Sequence, residues 1–178
     1  MIEYLSDFWV LLINSAFFGL FTKLADLCNE HKWNPFRGAA LLFGFLWGIF
    51  GAAVVIANPL LGSFYLAILF HWILRNKIDR LNHGIGSVII LISFVFVSET
   101  YQFDWYLFSF IFIVYTIFGL LRDNRKIRSS WFTKLNIYAY LIVIIFTLLD
   151  QKYLIVLLSY FFNTLFYQLA KKLENGEK

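Results

Sequence analysis

The sequence predicts an all-α integral membrane protein, a compact bundle of about seven short transmembrane helices with its N-terminus outside and its C-terminus in the cytoplasm. Of the 178 residues, 61% are hydrophobic and only 15% are charged, whereas about a quarter of a soluble domain is charged. Mean hydropathy is +0.72. Apolar runs of nearly membrane-spanning length recur along the chain, and basic residues gather in alternate connections between them.

Each predicted helix is an apolar run close to the roughly 20 residues that cross a bilayer, or shorter where flanking side chains snorkel. The first is expected to be retained rather than cleaved, because Glu3 and Asp7 stand where a signal peptide carries positive charge. Asn58-Pro59 separates the second run from the third, since Asn-Pro favours a turn and Pro opens helices. The seven runs, of which the fourth is the weakest, are 6–24, 38–57, 59–75, 84–100, 104–121, 135–150 and 153–170.

The distribution of charge predicts the orientation of these helices. Fourteen of the 15 basic residues lie in the first, third and fifth connections or in the C-terminal tail, and Lys152 is the exception. Glu99, Asp104 and Asp150 lie in the other connections. Basic residues accumulate on the cytoplasmic side of membrane proteins, which places the N-terminus outside. We therefore expect one polytopic transmembrane domain, residues 1–178, in the plasma membrane of a prokaryote.

The partners predicted from charge are lipids rather than nucleic acid. Topology accounts for the net charge of +4, and the basic stretch 122–134 is expected to bind anionic lipid headgroups. The lone cysteine, Cys28, excludes an intramolecular disulfide.

The second run carries a face of small residues, with Ala40, Gly44, Gly48 and Ala52 spaced four apart. Such a face lets a neighbouring helix backbone approach closely. Two interpretations follow: packing inside the bundle, which we favour, or a homodimer seam through Gly44 and Gly48.

Two polar stretches supply the candidate chemistry. If the third helix continues beyond its apolar run, FHWILRNKIDRLNHG places His71, Arg75, Asp79 and His83 four apart on one face. The stretch KLADLCNEHKWNPFRG brings Asp26 and other polar residues to the same side of the membrane.

These residue types suit a lipid-linked phosphate. Asp26 and Asp79 are expected to bind Mg²⁺, which prefers carboxylate oxygens. Arg37, Arg75 and Lys77 would bind phosphate, and His71 or His83 would transfer a proton. Transferase-like chemistry on a lipid-linked phosphate is therefore one hypothesis.

Two stretches also resemble known lipid enzymes. LADLCNEHKWNPFRGAALLFGFLWGIFG and LGSFYLAILFHWILRNKIDRLNHGIGS resemble segments of the CTP-dependent CDP-archaeol synthases and the polyprenol or phytol kinases. The resemblance covers under half the chain, and the Gly-Lys-Thr element and the Lys-Arg-Arg run of those enzymes are absent. It implies that Asp26 and Asp79 lie near a metal.

Other functional classes remain open. The polar stretches also suit a solvated helix end without a site. A carrier or channel for a small neutral solute would use Asn14, Asn163 and Gln168 along its path, and a structural membrane protein would need no pocket. The near absence of ionisable residues at mid-membrane argues against ion-coupled transport.

Overall fold

The structure is all-helical over the part of the chain that it describes. It is a computed structural model that describes residues 7–30, 33, 35–123 and 137–175. Within these ranges we number seven α-helices: α1 (Phe8–Glu30), α2 (Ala39–Ala57), α3 (Pro59–Leu74), α4 (Leu81–Val97), α5 (Trp105–Asp123), α6 (Ile137–Leu149) and α7 (Leu154–Asn175). Each overlaps one of the seven predicted runs. Most of the basic stretch 122–134 lies outside the described residues.

Four of these helices are long and apolar enough to cross a membrane: α1, α2 and α5, together with α7 and the short 3₁₀ turn before it. The helices α3, α4 and α6 are apolar but shorter. Large apolar side chains cover the outside of the bundle, and among them Phe96, Trp105 and Leu148 are exposed. A surface of this kind is stable against lipid rather than water, which supports a membrane helical bundle.

Local sequence explains where several helices begin and end. The Asn58 side chain accepts hydrogen bonds from the backbone N–H groups of Leu60 and Leu61 at 3.0 and 3.2 Å, and so caps α3, with Pro59 in its first turn. Asn76 has a φ of 53°, a left-handed conformation that asparagine tolerates better than most residues. It follows the C-cap residue Arg75, so the chain leaves the helix there.

This helix end corrects one expectation. The four-residue spacing from His71 to His83 required a continuous helix, but α3 ends at Leu74 and α4 begins only at Leu81. Only His71 and Arg75 keep that spacing at a helix end, whereas Asp79 lies in the connection and His83 in α4.

The helices run up and down, so alternate connections meet at opposite ends of the bundle. At one end the Tyr101 hydroxyl donates to the carbonyl oxygens of Val55 and Asn58, and Tyr153 donates to Asp104 at 2.8 Å. The opposite end holds the predicted polar stretches. The α1 helix packs against α2 and α7, α2 packs against α4, and α3 packs against α5.

The small-residue face of α2 is used within the chain. A Cβ atom built on Gly48 would lie 2.8 Å from the Cα atom of Gly86 in α4 and 2.9 Å from Cδ1 of Ile89. One built on Gly44 would lie 2.7 Å from Cβ of Asn82. This is the internal packing that we favoured, and the homodimer interpretation stays a prediction.

Candidate functional site

A cavity of about 700 Å³ opens among the helices at the end that carries the polar stretches. Its volume is within the usual range of small-molecule sites. Residues of α1, α2, α3, α4, α5, α6 and α7 line it. Asp26 and Asp79 both belong to this lining, so the two polar stretches that are separate in sequence meet at one cavity.

We call the charged part of this lining the mouth and the aromatic part the chamber. The mouth consists of Asp26, Arg75, Lys77, Asp79, Arg80, Arg122 and Lys171. The chamber includes Phe18, Trp47, Tyr65, His71, Trp72, Tyr115, Tyr138 and Tyr160.

Asp26 joins three helices at the edge of the cavity. Its Oδ1 atom lies 3.1 Å from Nε2 of His83 in α4, and its Oδ2 atom accepts a hydrogen bond of 3.0 Å from the Tyr167 hydroxyl in α7. The two side chains therefore form a close charged contact, although Nε2 of His83 has no hydrogen-bond partner of good geometry among the described residues.

Two asparagines hold α4 in place beside this pair. Asn82 is buried, and its side-chain amide donates to the carbonyl oxygen of Ala25 at 3.2 Å. Its side-chain oxygen accepts from Asn29 at 2.8 Å. Both bonds connect α1 to the start of α4, so the separation of Asp26 from His83 is set by contacts on either side of it.

Arg75 is the centre of a second polar group. Its Nη2 atom lies 2.6 Å from Oδ2 of Asp123 at the end of α5, and its Nη1 atom lies 3.0 Å from Nε2 of His71. Lys77 contacts the other oxygen of Asp123 at 3.2 Å. Because a guanidinium group only donates hydrogen bonds, Nε2 of His71 must accept and the ring proton resides on Nδ1.

Gly119 makes this arrangement possible. A Cβ atom at that position would overlap the His71 ring and lie 2.5 Å from Nη1 of Arg75. A glycine in the last part of α5 therefore allows the His71–Arg75 pair to lie directly against the helix backbone.

The remaining predicted site residues occupy different positions. Asp79 lies at the mouth with an exposed side chain, 3.9 Å from Nε of Arg80, and Lys77 is half exposed. Arg37 is an exposed residue in the turn before α2, and it is not part of the cavity lining. The structure thus gathers His71, Arg75, Lys77, Asp79, Asp26 and His83 around one cavity and leaves Arg37 outside it.

The described side chains do not form a ready-made magnesium site. No group of three or more His, Cys, Asp or Glu residues within the described ranges is placed to hold a metal ion. Asp26 is already engaged through both oxygens, by His83 and by Tyr167. The described side chains therefore offer no preassembled set of ligands for the predicted Mg²⁺.

Sequence reasoning missed three residues of the site. Asp123, which contacts Arg75 and Lys77, is flanked by basic residues in the sequence, and that pattern predicts contact with lipid headgroups instead. Tyr115 and Trp47 are ordinary aromatic residues of apolar runs, and nothing in their spacing distinguishes them. The sequence signal that could have identified them is a hydroxyl or indole N–H inside a membrane span, since such groups need partners there.

Comparison with known proteins adds no family. No protein-family model, no curated protein and no solved structure matches this chain.

Proposed function

We propose that the protein is a membrane-embedded enzyme that acts on a lipid-linked phosphate at the cytoplasmic end of the bundle. One observation carries this proposal: a cavity combines a cationic mouth with two histidines that each lie beside a charged side chain. The positive-inside pattern of the sequence supports a cytoplasmic mouth.

The charges of the mouth favour an anion. Among the described residues that line the cavity, five carry a positive charge (Arg75, Lys77, Arg80, Arg122 and Lys171) and two a negative charge (Asp26 and Asp79). Asp123 offsets part of this excess through Arg75 and Lys77. Hydrogen bonds from cationic side chains to phosphate oxygens are among the stronger polar contacts in proteins, so phosphate is the anion that we propose.

His83 fits the two proton transfers of phosphoryl transfer. Its imidazole accepts the proton of an attacking hydroxyl group or water, while Asp26, 3.1 Å from Nε2, stabilises the imidazolium that forms. The attacking oxygen forms a bond to phosphorus as the bond to the leaving oxygen breaks. The imidazolium then returns the proton to that leaving oxygen, and the cations of the mouth stabilise the charge on the phosphoryl oxygens.

A carrier for a small neutral solute is the second candidate. The cavity continues from the mouth along the polar side of α7, where Asn163, Thr164 and Gln168 line it. Asn14, the other polar residue predicted for such a path, is buried but does not belong to the lining. A carrier would bind its solute through these amide and hydroxyl groups without a requirement for phosphate.

A thermal-shift titration of the purified protein with polyprenyl phosphate, against polyprenol without phosphate, tests the enzyme proposal. We expect the phosphate, and not the alcohol, to raise the melting temperature. Lys77→Gln should reduce this shift, whereas Arg37→Gln, which also removes one exposed cation but lies outside the cavity, should not. Equal shifts with the two lipids, or no shift at all, would refute phosphate recognition and favour the carrier.

A further inference from the structure

Three buried polar groups of the chamber have no hydrogen-bond partner among the described residues. They are Nε1 of Trp47, Nδ1 of His71 and the hydroxyl group of Tyr115. Their residues are 2%, 2% and 7% exposed, and all three line the cavity. Buried polar groups are nearly always hydrogen-bonded in proteins, and each exception requires a cause.

All three groups can act as donors. The indole N–H of Trp47 only donates. His71 carries its proton on Nδ1, because Nε2 accepts from Arg75. The Tyr115 hydroxyl lies near that of Tyr160, but no well-directed hydrogen bond holds it. A ligand that satisfies these groups must therefore supply acceptors.

The walls around these donors are aromatic. Among the described lining residues, eight are Phe, Tyr or Trp, and five are Val, Leu or Ile. The ring centroids of Trp47 and Trp72 are 6.3 Å apart. The rings of Phe18 and Trp47 are parallel within 11°, with centroids 6.3 Å apart. The Tyr115 ring meets the His71 ring edge-on, with centroids 5.9 Å apart. Aromatic walls favour a flat ring, which can stack on them or meet their edges.

The charge of the chamber favours an uncharged ligand. Arg75 is the cation in direct contact with His71, and it is already paired with Asp123 at 2.6 Å. A charged ligand taken into this part of the cavity would lose its hydration without a free counter-charge, which is costly.

We propose that the chamber binds an uncharged planar ring that carries hydrogen-bond acceptors such as carbonyl oxygens. The quinone head of a membrane lipid and a free heterocyclic base both have this chemistry. The proposal concerns the chamber and does not depend on phosphate recognition at the mouth, although both ligands would occupy one cavity.

Binding measurements with two rings of the same shape test this proposal. Menadione carries two carbonyl oxygens, and 2-methylnaphthalene carries none. We expect the purified wild-type protein in detergent to bind menadione at least about tenfold more tightly, because each additional net hydrogen bond contributes about 1 kcal/mol. Equal affinity for the two rings would overturn the proposal, and so would a failure of menadione to bind.

Two conservative variants separate hydrogen bonding from packing. Tyr115→Phe and Trp47→Phe each remove one donor and retain an aromatic ring, and each should weaken menadione binding about fivefold while 2-methylnaphthalene binding is unchanged. Tyr106→Phe, at a residue 87% exposed on α5, is the control and should change neither. Unchanged menadione affinity in both chamber variants would show that these groups do not contact the ring.

Two further arms identify the source of the ring. Tighter binding of a prenylated naphthoquinone than of menadione would indicate a membrane quinone, and tighter binding of uracil than of either would indicate a free heterocycle. Lys77→Gln, which should reduce phosphate binding at the mouth, should leave menadione binding in the chamber unchanged. The two measurements therefore distinguish a failure of phosphate recognition from a failure of ring binding.

Discussion

Replacing Gly48 by alanine tests the packing of α2 against α4. The new Cβ atom would lie 2.8 Å from Cα of Gly86 and 2.9 Å from Cδ1 of Ile89. The first distance is about 0.7 Å shorter than the roughly 3.5 Å at which carbon atoms attract each other most. Because the atom at Gly86 belongs to the backbone, the two helices must separate. Overpacking of this kind costs about 1–3 kcal/mol.

Gly84→Ala is the matched control, since it lies in α4 only two positions from Gly86. A Cβ atom there would have nothing within 4 Å. Both substitutions gain the helix propensity of alanine, up to about 1 kcal/mol, so the difference between the two variants isolates the cost of overpacking. We expect the free energy of unfolding of Gly48→Ala to be lower than that of Gly84→Ala by about 1–3 kcal/mol.

Reversible unfolding in detergent, followed by circular dichroism against denaturant, measures this difference. Equal stability of the two variants would refute the close approach of α2 to α4. It would also leave the small-residue face available for the homodimer interpretation, which crosslinking of the wild-type protein would then test.

Three further predictions follow from the topology and the site. The first uses single cysteines in a Cys28→Ser background. Cysteines placed in 99–104 should react with an impermeant reagent added outside, whereas cysteines placed in 125–134 should not. Labelling of both positions from one side would contradict the alternating topology. Asp79→Asn should change stability by less than about 1 kcal/mol, because the side chain is exposed, and should not weaken binding of a lipid-linked phosphate, because it removes a negative charge from the mouth. Weaker binding would show that Asp79 contributes to the site, as the sequence predicts. Gly119→Ala should displace the His71–Arg75 pair. The imidazole NMR signals of His71 should therefore shift, whereas those of His83 should not. Unchanged signals for both histidines would show that α5 does not constrain the His71–Arg75 pair.

The sequence predicted the helices because their cause is local. An apolar run between charged or turn-forming residues determines where a helix begins and ends, as at Asn58 and Pro59, independently of the neighbouring helices. Alternation of charge along the chain likewise predicted that the stretches around Asp26 and Asp79 share one end of the bundle. The small-residue spacing through Gly44 and Gly48 predicted a close helix contact, although it did not identify the partner.

Only the tertiary structure decided which side chains form the site. Asp26 and Tyr167 are 141 positions apart, and Arg75 and Asp123 are 48 apart, so no local pattern relates them. The end of α3 at Leu74 removed Asp79 and His83 from the helical face predicted for His71 and Arg75. Arg37 has the residue type that phosphate binding needs, but packing of α2 leaves it outside the cavity. Helix periodicity determines which residues share a face of one helix. Which helices become neighbours depends instead on which pairs of helix surfaces can approach closely. The arrangement of neighbouring helices places Asp123 beside Arg75 and Asp26 beside His83.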